Sequence, residues 1–259
     1  MRPDPDKPYY TAYDKRYREV YKQGLPYWTA NPSDLKSIIL TIDGFLLRHD
    51  IPSGSHIAEF GCGEGFVSVY LLAQGYTYTG IDISSAALEK AAERTIPYGD
   101  RGLLLCTDLL NITSFTEETY DMGIDVGCLQ MLITDADRQR YLNNLYRMLK
   151  PGAPLLFCRN AFDPDAIDDH IDSYDRWLTM AKQDVDMPEL RNAWKDGKPY
   201  PIQLPNIAVR PRNLTHYEQE LEFAGFEFLT GRISSTGIHA TFEVRKPSPE
   251  DDDDLFEDY

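Results

Sequence analysis

The chain has 259 residues, 42% of them hydrophobic and 26% charged, which is the composition of a soluble globular protein that can bury a large core. Because 42 Asp and Glu outnumber 26 Lys and Arg, the formal net charge is −16, and we expect neither nucleic acid nor an anionic membrane as a partner. No apolar run reaches the roughly 18 residues of a membrane span, and the first residues contain no hydrophobic signal region, so we expect a cytoplasmic protein.

The first segment, residues 1–32, is rich in Tyr and Pro. Tyr13, Tyr17 and Tyr21 follow one another at the i, i+4, i+8 spacing of a helix face. Two interpretations remain for this aromatic stripe. It packs the helix onto the following domain, or it serves as a lid over a bound ligand.

Residues 33–245 alternate helical and strand patterns. An amphipathic helix with Ser33 as a plausible N-cap comes first. Five strands are predicted at residues 56–60, 76–82, 102–106, 120–126 and 154–158. Helices are predicted at 66–74, after the cap Ser84, and from Thr134 to Leu149. This alternation predicts an α/β fold, with a mostly parallel sheet and helices on both faces.

The alternation breaks at residues 160–212, which hold many Asp, Trp177 and five prolines between positions 188 and 211. A loop region this long indicates a binding element, and we interpret it as a substrate cap. A helix at 215–224 and an antiparallel pair of strands at 226–233 and 239–244 complete a sheet of about seven strands. Residues 246–259 carry seven carboxylates and one lysine, which predicts a disordered acidic tail.

The four cysteines, Cys62, Cys106, Cys128 and Cys158, lie far apart without a CxxC pair, and the five histidines form no HxxxH pair. This pattern predicts reduced thiols and no metal site. We expect the cysteines to act as small buried hydrophobic residues.

Residues 61–65 (GCGEG) lie between a predicted strand and a helix, where glycines let the backbone approach a ligand. Glu59 precedes this loop, and Asp82 ends the next strand, 23 residues later, where an acid can hold two ribose hydroxyls. The spacing is GxGxG and not the GxGxxG of dinucleotide-binding folds. Together with Glu59, it favours a cationic or zwitterionic ligand over a nicotinamide dinucleotide.

Five segments resemble, in order, the motifs of class I S-adenosylmethionine-dependent methyltransferases. Residues 59–65 are similar to the first motif, in which the glycine loop passes under the methionine part of the cofactor, and residues 80–84 to the second, in which the acid binds ribose. Residues 106–109 are similar to the third motif, whose Asp accepts from the adenine amino group. Residues 120–126 and 149–155 are similar to the fourth motif and to the turn into the fifth strand.

The resemblance covers roughly residues 33–245 and implies a Rossmann-like doubly wound sheet with S-adenosylmethionine as cofactor. Residues 26–33 are also similar to the Pro-Trp lead-in of small-molecule methyltransferases, including the thiopurine type, which folds over the cofactor. The implied cofactor-binding residues are Trp28, Glu59, Gly61, Cys62, Gly63, Gly65, Asp82, Ile83, Asp108, Leu109, Asp125 and Val126.

Methyl transfer from a sulfonium depends mainly on alignment and water exclusion, so the sequence identifies no obligatory catalytic residue. The cluster 168–170, with Asp169 and His170 as weak candidates for a base, is expected on a short helix reaching Trp177, where a solvated polar face is the simpler interpretation. Arg210 and Arg212 either bind a substrate carboxylate or offset nearby Asp residues, and we favour the second. Residues expected at the substrate are Tyr13, Tyr17, Gln130 and Arg159.

Residues 129–131 read LQM where many small-molecule relatives have Leu-His-His. In addition, no Asn-Pro-Pro-Tyr run follows the fourth strand, and the lack of this run argues against methylation of amides or nucleobase amines. We therefore expect a small-molecule acceptor with an N, O or S nucleophile, and the acidity of residues 160–212 mildly favours an amine. The alternatives are an RNA or protein methyltransferase, a catalytically silent cofactor-binding partner subunit, and a nicotinamide-dependent oxidoreductase. The sequence indicates no oligomeric state.

Overall fold

The computed structural model describes residues 7–25, 27–28, 32–112, 114–195 and 198–249. The ends of the chain, residues 1–6 and 250–259, lie outside this description, and so does most of the predicted acidic tail. Residues 26 and 29–31 of the tryptophan-containing lead-in and the side chain of the predicted cap Ser33 lie outside it as well.

The elements follow the predicted alternation. The α-helices of the described part are α1 (Ala12–Lys22), α2 (Pro32–Arg48), α3 (Phe66–Ala73), α4 (Ser85–Thr95), α5 (Asp135–Met148), α6 (Tyr174–Met180) and α7 (Leu214–Phe223). The strands are β1 (His56–Phe60), β2 (Thr77–Asp82), β3 (Gly102–Cys106), β4 (Met122–Val126), β5 (Pro154–Ala161), β6 (Glu189–Lys195), β7 (Lys198–Leu204), β8 (Glu227–Ile233) and β9 (His239–Arg245).

Seven strands form one sheet in the order β3-β2-β1-β4-β5-β9-β8. All run parallel except β9, which is antiparallel to both β5 and β8. The predicted mostly parallel sheet with one antiparallel strand near its C-terminal end is therefore confirmed. The strand order reverses beside β1, and a crevice for ligands forms at the carboxyl ends of the strands at such a point.

The core lies on both faces of the sheet. Ile57 of β1 packs with Ile42 of α2 and Leu71 of α3, whereas Phe60 packs on the opposite face with Leu145 of α5. Successive residues of a strand point to opposite faces, so a strand covered by helices on both sides must be apolar on both sides. The residues 56–60 (HIAEF) meet this requirement except for His56, which is half-buried at the start of the strand, and Glu59, which is buried at the cavity described below.

The predicted caps are present where the side chains are described. The Ser84 hydroxyl accepts from the Ala87 N–H, and the Thr134 hydroxyl accepts from the Asp137 N–H. Strand β5 is three residues longer than predicted and contains a register shift, within which Arg159 has a φ of 59°.

The region 160–212 contains more regular structure than predicted. Helix α6 begins at Tyr174, so the expectation of a helix through Asp169 and His170 is wrong. The backbone here pairs with the start of α5 and not with itself, since Ile171 N–H donates to the Asp135 carboxylate and Asp135 N–H donates to the Ile171 carbonyl. Strands β6 and β7 form an antiparallel hairpin that the sequence did not indicate.

Candidate functional site

A cavity of about 640 Å³ lies at the carboxyl ends of β1, β2 and β4, between the sheet, α1 and the β6–β7 hairpin. Its size is that of a pocket for a small molecule or cofactor. Of the residues expected at the cofactor, ten line it: Trp28, Glu59, Gly61, Cys62, Gly63, Asp82, Ile83, Asp108, Leu109 and Val126. The expected substrate residues Tyr13, Tyr17, Gln130 and Arg159 line the same cavity.

The glycine loop after β1 is tightly packed. Gly61 and Gly63 have φ values of 76° and 52°, in the left-handed region that favours glycine. A Cβ at Gly61 would lie 2.6 Å from the Cys128 sulfur, and one at Gly63 would lie 2.5 Å from the Tyr17 hydroxyl oxygen. Both positions therefore require glycine for backbone conformation and for space, and Tyr17 of α1 sits directly over the loop.

Asp82 ends β2 with its carboxylate fixed by the backbone. Oδ2 accepts from the Gly63 N–H and Oδ1 accepts from the Ser84 N–H, both at 2.8 Å. The residue is only 8% exposed, and burial raises the pKa of its carboxyl. A carboxylate has about four acceptor positions, so Asp82 retains capacity for ligand hydroxyls.

Two further acids lie beside the glycine loop. Glu59 is 3% exposed, and burial raises its pKa to about 8, although a hydrogen bond from the Tyr78 hydroxyl opposes this shift. Burial also raises the pKa of Glu64, whose Oε1 accepts from the Trp28 N–H at 2.6 Å. Together with Asp82 and Asp108, these residues make one end of the cavity strongly acidic, which suits a cationic ligand.

The Asp108 carboxylate at the end of β3 is bonded to the N-terminal segment. Its Oδ1 accepts from the Leu110 N–H, and its Oδ2 accepts from the Tyr10 hydroxyl at 3.0 Å and the Asn111 amide at 2.7 Å. Three of about four acceptor positions are thus used, and one remains for a ligand donor such as an amino group.

The N-terminal segment crosses the carboxyl edge of the sheet and bonds to the loops that follow β2 and β4. Asp14 accepts from the Ala86 N–H at 3.0 Å and from the Ser84 hydroxyl at 2.9 Å, at the start of α4. Tyr13 donates to the Met131 carbonyl at 2.6 Å, and the Tyr9 hydroxyl accepts from Ile133 N–H. The predicted aromatic face of α1 therefore packs on the domain and also forms a wall of the cavity.

Trp28 belongs to an aromatic group beside the glycine loop. Its ring lies 4.7 Å from the ring of Tyr17, and the guanidinium carbon of Arg16 lies 4.6 Å from its centroid. Aromatic faces attract positive charge, and their apolar surface excludes water.

The part of the cavity near β5 is built from residues that the sequence mostly did not indicate. Gln130 joins the loop after β4 to β5, because its Oε1 accepts from the Ala161 N–H at 2.5 Å. His239, Ile207 and Val209 line the cavity as well. Since β9 is antiparallel, its first residue, His239, pairs with Ala161 at the carboxyl edge of the parallel strands. The antiparallel direction predicted for this strand was the available signal.

Two residues expected at the cofactor do not line the cavity. Asp125 is fully buried and accepts from the Cys128 and Leu129 N–H groups and the Tyr141 hydroxyl. Burial raises its pKa to about 6, and these bonds hold the turn after β4. Gly65 precedes α3 with a φ of 75°. Both residues support the walls of the cavity.

Asp169 and His170 lie at a separate cavity of about 280 Å³ that Arg138, Arg210 and Arg212 also line. His170 is exposed and its Nδ1 is 2.6 Å from the Asp135 carboxylate. Arg210 and Arg212 pair with Asp135 and Glu220, respectively. The structure thus does not bring the weak candidates for a base to the larger cavity, and it pairs both arginines with carboxylates of the chain.

All four cysteines are free thiols. Cys62 and Cys158 are buried as expected, whereas Cys106 is exposed, because it ends β3 at the edge of the sheet. Within the described residues, no cluster of His, Cys, Asp and Glu side chains is arranged to hold a metal ion. In that same part of the chain, the helices are too short or too polar to cross a lipid bilayer.

Known proteins resemble the part of the chain that carries these features. Residues 57–152 match the family model described as a methyltransferase domain. The ubiquinone biosynthesis O-methyltransferase of Pseudomonas putida is 29% identical over 114 residues, which are 44% of this chain and 48% of that protein. The chain thus spans less than half the length of the curated relatives it matches.

Two solved structures share the fold over nearly the whole chain. The Burkholderia thailandensis 1,6-didemethyltoxoflavin-N1-methyltransferase, solved with S-adenosylhomocysteine, has a TM-score of 0.62 at 16% identity, covering 96% of this chain and 94% of that chain. The cyclase SpnF has a TM-score of 0.65 at 16% identity, covering 96% and 100%. Residues 57–152 therefore belong to the methyltransferase domain family, within a chain that has the fold of class I S-adenosylmethionine-dependent methyltransferases.

Proposed function

We propose that this chain transfers a methyl group from S-adenosylmethionine to a small-molecule acceptor with an N, O or S nucleophile. The observation that carries the proposal is the cavity at the strand-order reversal, in which the glycine loop and four buried or half-buried acids form one end. A ligand with a sulfonium, an ammonium and a ribose diol has the charges and donors that this end accepts.

The residues present fit this cofactor. Glu59 and Glu64 place carboxyl groups beside the glycine loop for an ammonium group, whose positive charge favours the ionised form of Glu59. The Asp82 carboxylate, held by two backbone N–H groups, retains acceptor capacity for the ribose hydroxyls. Asp108 has one acceptor position left for the adenine amino group, between the apolar side chains of Ile83 and Leu109. When bound, S-adenosylmethionine supplies a methyl group that is activated by its positively charged sulfur.

The chain's own residues then align the acceptor and exclude water. Tyr13, Tyr17 and Trp28 cover the cavity from the side of α1, and their aromatic faces stabilise positive charge. At the end near β5, the polar side chains of Gln130, Arg159 and His239 line the cavity and can contact an acceptor. His239 is the only imidazole among the described residues that line the cavity, so we assign it the proton that the acceptor loses.

The test measures binding and turnover separately, since the cyclase SpnF shares this fold and binding alone does not establish methyl transfer. Purified protein is titrated calorimetrically with S-adenosylmethionine and with NADH, and is then incubated with methyl-labelled cofactor and a panel of amines, phenols and thiols. We expect saturable binding of S-adenosylmethionine alone and labelled product with one class of acceptor. Binding without any labelled product would contradict the proposed activity and favour a silent cofactor-binding subunit.

A further inference from the structure

Two arginines and one glutamate join α1 to the β6–β7 hairpin at the wall of the cavity. Arg16 of α1 donates from Nη2 to Glu189 Oε2 at 2.8 Å and from Nη1 to the Pro205 carbonyl. Arg191 donates from Nε to Glu189 Oε1 at 2.6 Å. All three charged side chains line the cavity, and we call them the hairpin arginine cluster.

The cluster carries an excess positive charge. Although burial opposes ionisation, hydrogen bonds and the charges of Arg191 and Arg16 hold the pKa of Glu189 below its usual value, so Glu189 is ionised at neutral pH. One carboxylate thus faces two guanidinium groups. The acids Glu59, Glu64 and Asp82 come from the sheet and its loops, whereas this positive charge comes from α1 and the hairpin.

The cluster also has donors to spare. Arg16 is 1% exposed, and its Nε is buried without a hydrogen-bond partner among the described residues. Arg191 meets Glu189 through Nε, and among the described residues no hydrogen bond occupies the forked end of its guanidinium, so this end can bind a ligand. Arg16 Nε is enclosed by the protein, so the Arg191 guanidinium, which is partly exposed and lines the cavity, is the group of the cluster that a ligand can reach.

We propose that the hairpin arginine cluster binds a carboxylate or phosphate group of the methyl acceptor, at a distance from the accepting atom. Guanidinium groups bind these anions through paired, charge-assisted hydrogen bonds, and Arg191 presents such a fork. The inference rests on the proposed function and deepens it by naming the acceptor class. An accepting amine, phenol or thiol can sit on the same molecule, so the acceptor is anionic whatever its nucleophile.

The positions of the charged residues in the fold explain why composition alone favoured a different class of methyl acceptor. The acids of residues 160–212 suggested a neutral or cationic acceptor, yet Asp168 and Asp169 lie at the smaller cavity beside Arg210 and Arg212. At the larger cavity this region contributes Arg191, partly offset by Glu189.

The experiment titrates benzoate, phenyl phosphate and neutral benzamide into protein saturated with S-adenosylhomocysteine. We expect benzoate or phenyl phosphate to bind at least tenfold more tightly than benzamide. Arg191→Gln should weaken anion binding at least tenfold, while Glu189→Gln, which removes the negative charge, should tighten it. Arg176→Gln is the matched control, because Arg176 is exposed on α6 and does not line the cavity.

The proposal is overturned if neither benzoate nor phenyl phosphate binds more tightly than benzamide, or if Arg191→Gln leaves anion binding unchanged. If Arg191→Gln instead weakens S-adenosylhomocysteine itself, or if benzoate displaces it, the cluster binds the cofactor's own carboxylate and the acceptor assignment is wrong. If the wild-type protein does not bind S-adenosylhomocysteine, the proposed function fails on its own. The same anion titrations on unliganded protein then still test the cluster.

Discussion

The Tyr10 hydroxyl donates to Asp108 Oδ2 over 3.0 Å, which bonds the N-terminal segment directly to the carboxylate at the end of β3. Burial, followed by the charge of Asp108, raises the pKa of the Tyr10 hydroxyl above its usual range, so it stays protonated and acts as the donor. The acid expected to meet the adenine of the cofactor therefore also anchors the segment that covers the cavity. We therefore expect the N-terminal segment and the cofactor to stabilise each other's binding at Asp108.

Tyr10→Phe should accelerate cofactor release. The substitution keeps the ring and removes one hydrogen bond to a charged acceptor, which contributes about 1.5–3 kcal/mol. We expect the dissociation rate of S-adenosylhomocysteine to rise about tenfold, measured by stopped-flow tryptophan fluorescence. Thr11→Ala, which removes only a local bond to the Pro8 carbonyl, serves as the control. An unchanged dissociation rate would separate the N-terminal segment from the cofactor site.

Asp82→Ala should weaken S-adenosylmethionine binding at least tenfold, which corresponds to about 1.4 kcal/mol. The change removes the acceptor for the ribose and also leaves the Gly63 and Ser84 N–H groups without their partner. Calorimetry on this variant, next to Asp175→Ala on α6, measures the effect. Equal affinities for the two variants would show that Asp82 does not contact the cofactor.

Glu59 should make stability depend on pH. Its folded pKa of about 8 exceeds the unfolded value near 4.3, so its contribution is fully present below about pH 4 and is lost as pH rises through 8. Glu59→Gln removes the loss of stability that ionisation of Glu59 causes. We therefore expect the unfolding free energy of the variant to exceed that of the wild type by roughly 1 kcal/mol or more at pH 8.5, since one pKa unit is about 1.4 kcal/mol. Urea unfolding at pH 5 and pH 8.5 measures the difference. A difference that does not grow with pH would contradict the raised pKa.

The same carboxyl group should release a proton when a cationic ligand binds. A positive sulfur or ammonium group beside Glu59 favours the ionised form and lowers its pKa. We therefore expect S-adenosylmethionine binding at pH 7 to release a fraction of a proton that Glu59→Gln abolishes. Calorimetric titrations in two buffers of different ionisation enthalpy detect this release. Identical heats in both buffers would rule it out.

His239→Asn should lower kcat about a hundredfold for an acceptor that must lose a proton, because a positioned base contributes about 10²–10⁴-fold. The affinity for S-adenosylhomocysteine should stay within twofold, since His239 lies beside Ala161 and away from the glycine loop. Raising the pH should restore part of the rate by ionising the acceptor in solution. A variant with the wild-type kcat at pH 7 would exclude His239 as the base.

The features that could be predicted from the sequence depend on local spacing. The glycine loop, Glu59 and Asp82 occupy one strand, one turn and the end of the next strand, and adjacent parallel strands bring their carboxyl ends together. The same pattern did not distinguish an acid that lines the cavity from an acid that only holds the wall of the cavity in place. Asp125 lies one residue before the end of β4, and its carboxylate accepts from two backbone N–H groups and the Tyr141 hydroxyl without lining the cavity.

The features that could not be predicted depend on contacts between distant segments. Arg16 and Glu189 are 173 positions apart, and nothing in either local pattern indicates that α1 docks on the hairpin. The hairpin itself was missed because Pro199 and Pro201 argue against a central strand. In a two-stranded sheet every strand is an edge, and an edge tolerates proline.

Calorimetric titration of the purified protein with S-adenosylmethionine, set against NADH, tests the central claim most directly. The cavity predicts saturable binding of one S-adenosylmethionine per chain and no binding of NADH, because a second phosphate would bring negative charge against the acidic groups of Glu59, Glu64 and Asp82 beside the glycine loop, whereas a sulfonium or ammonium group is favoured there. Binding of NADH without binding of S-adenosylmethionine would contradict the account.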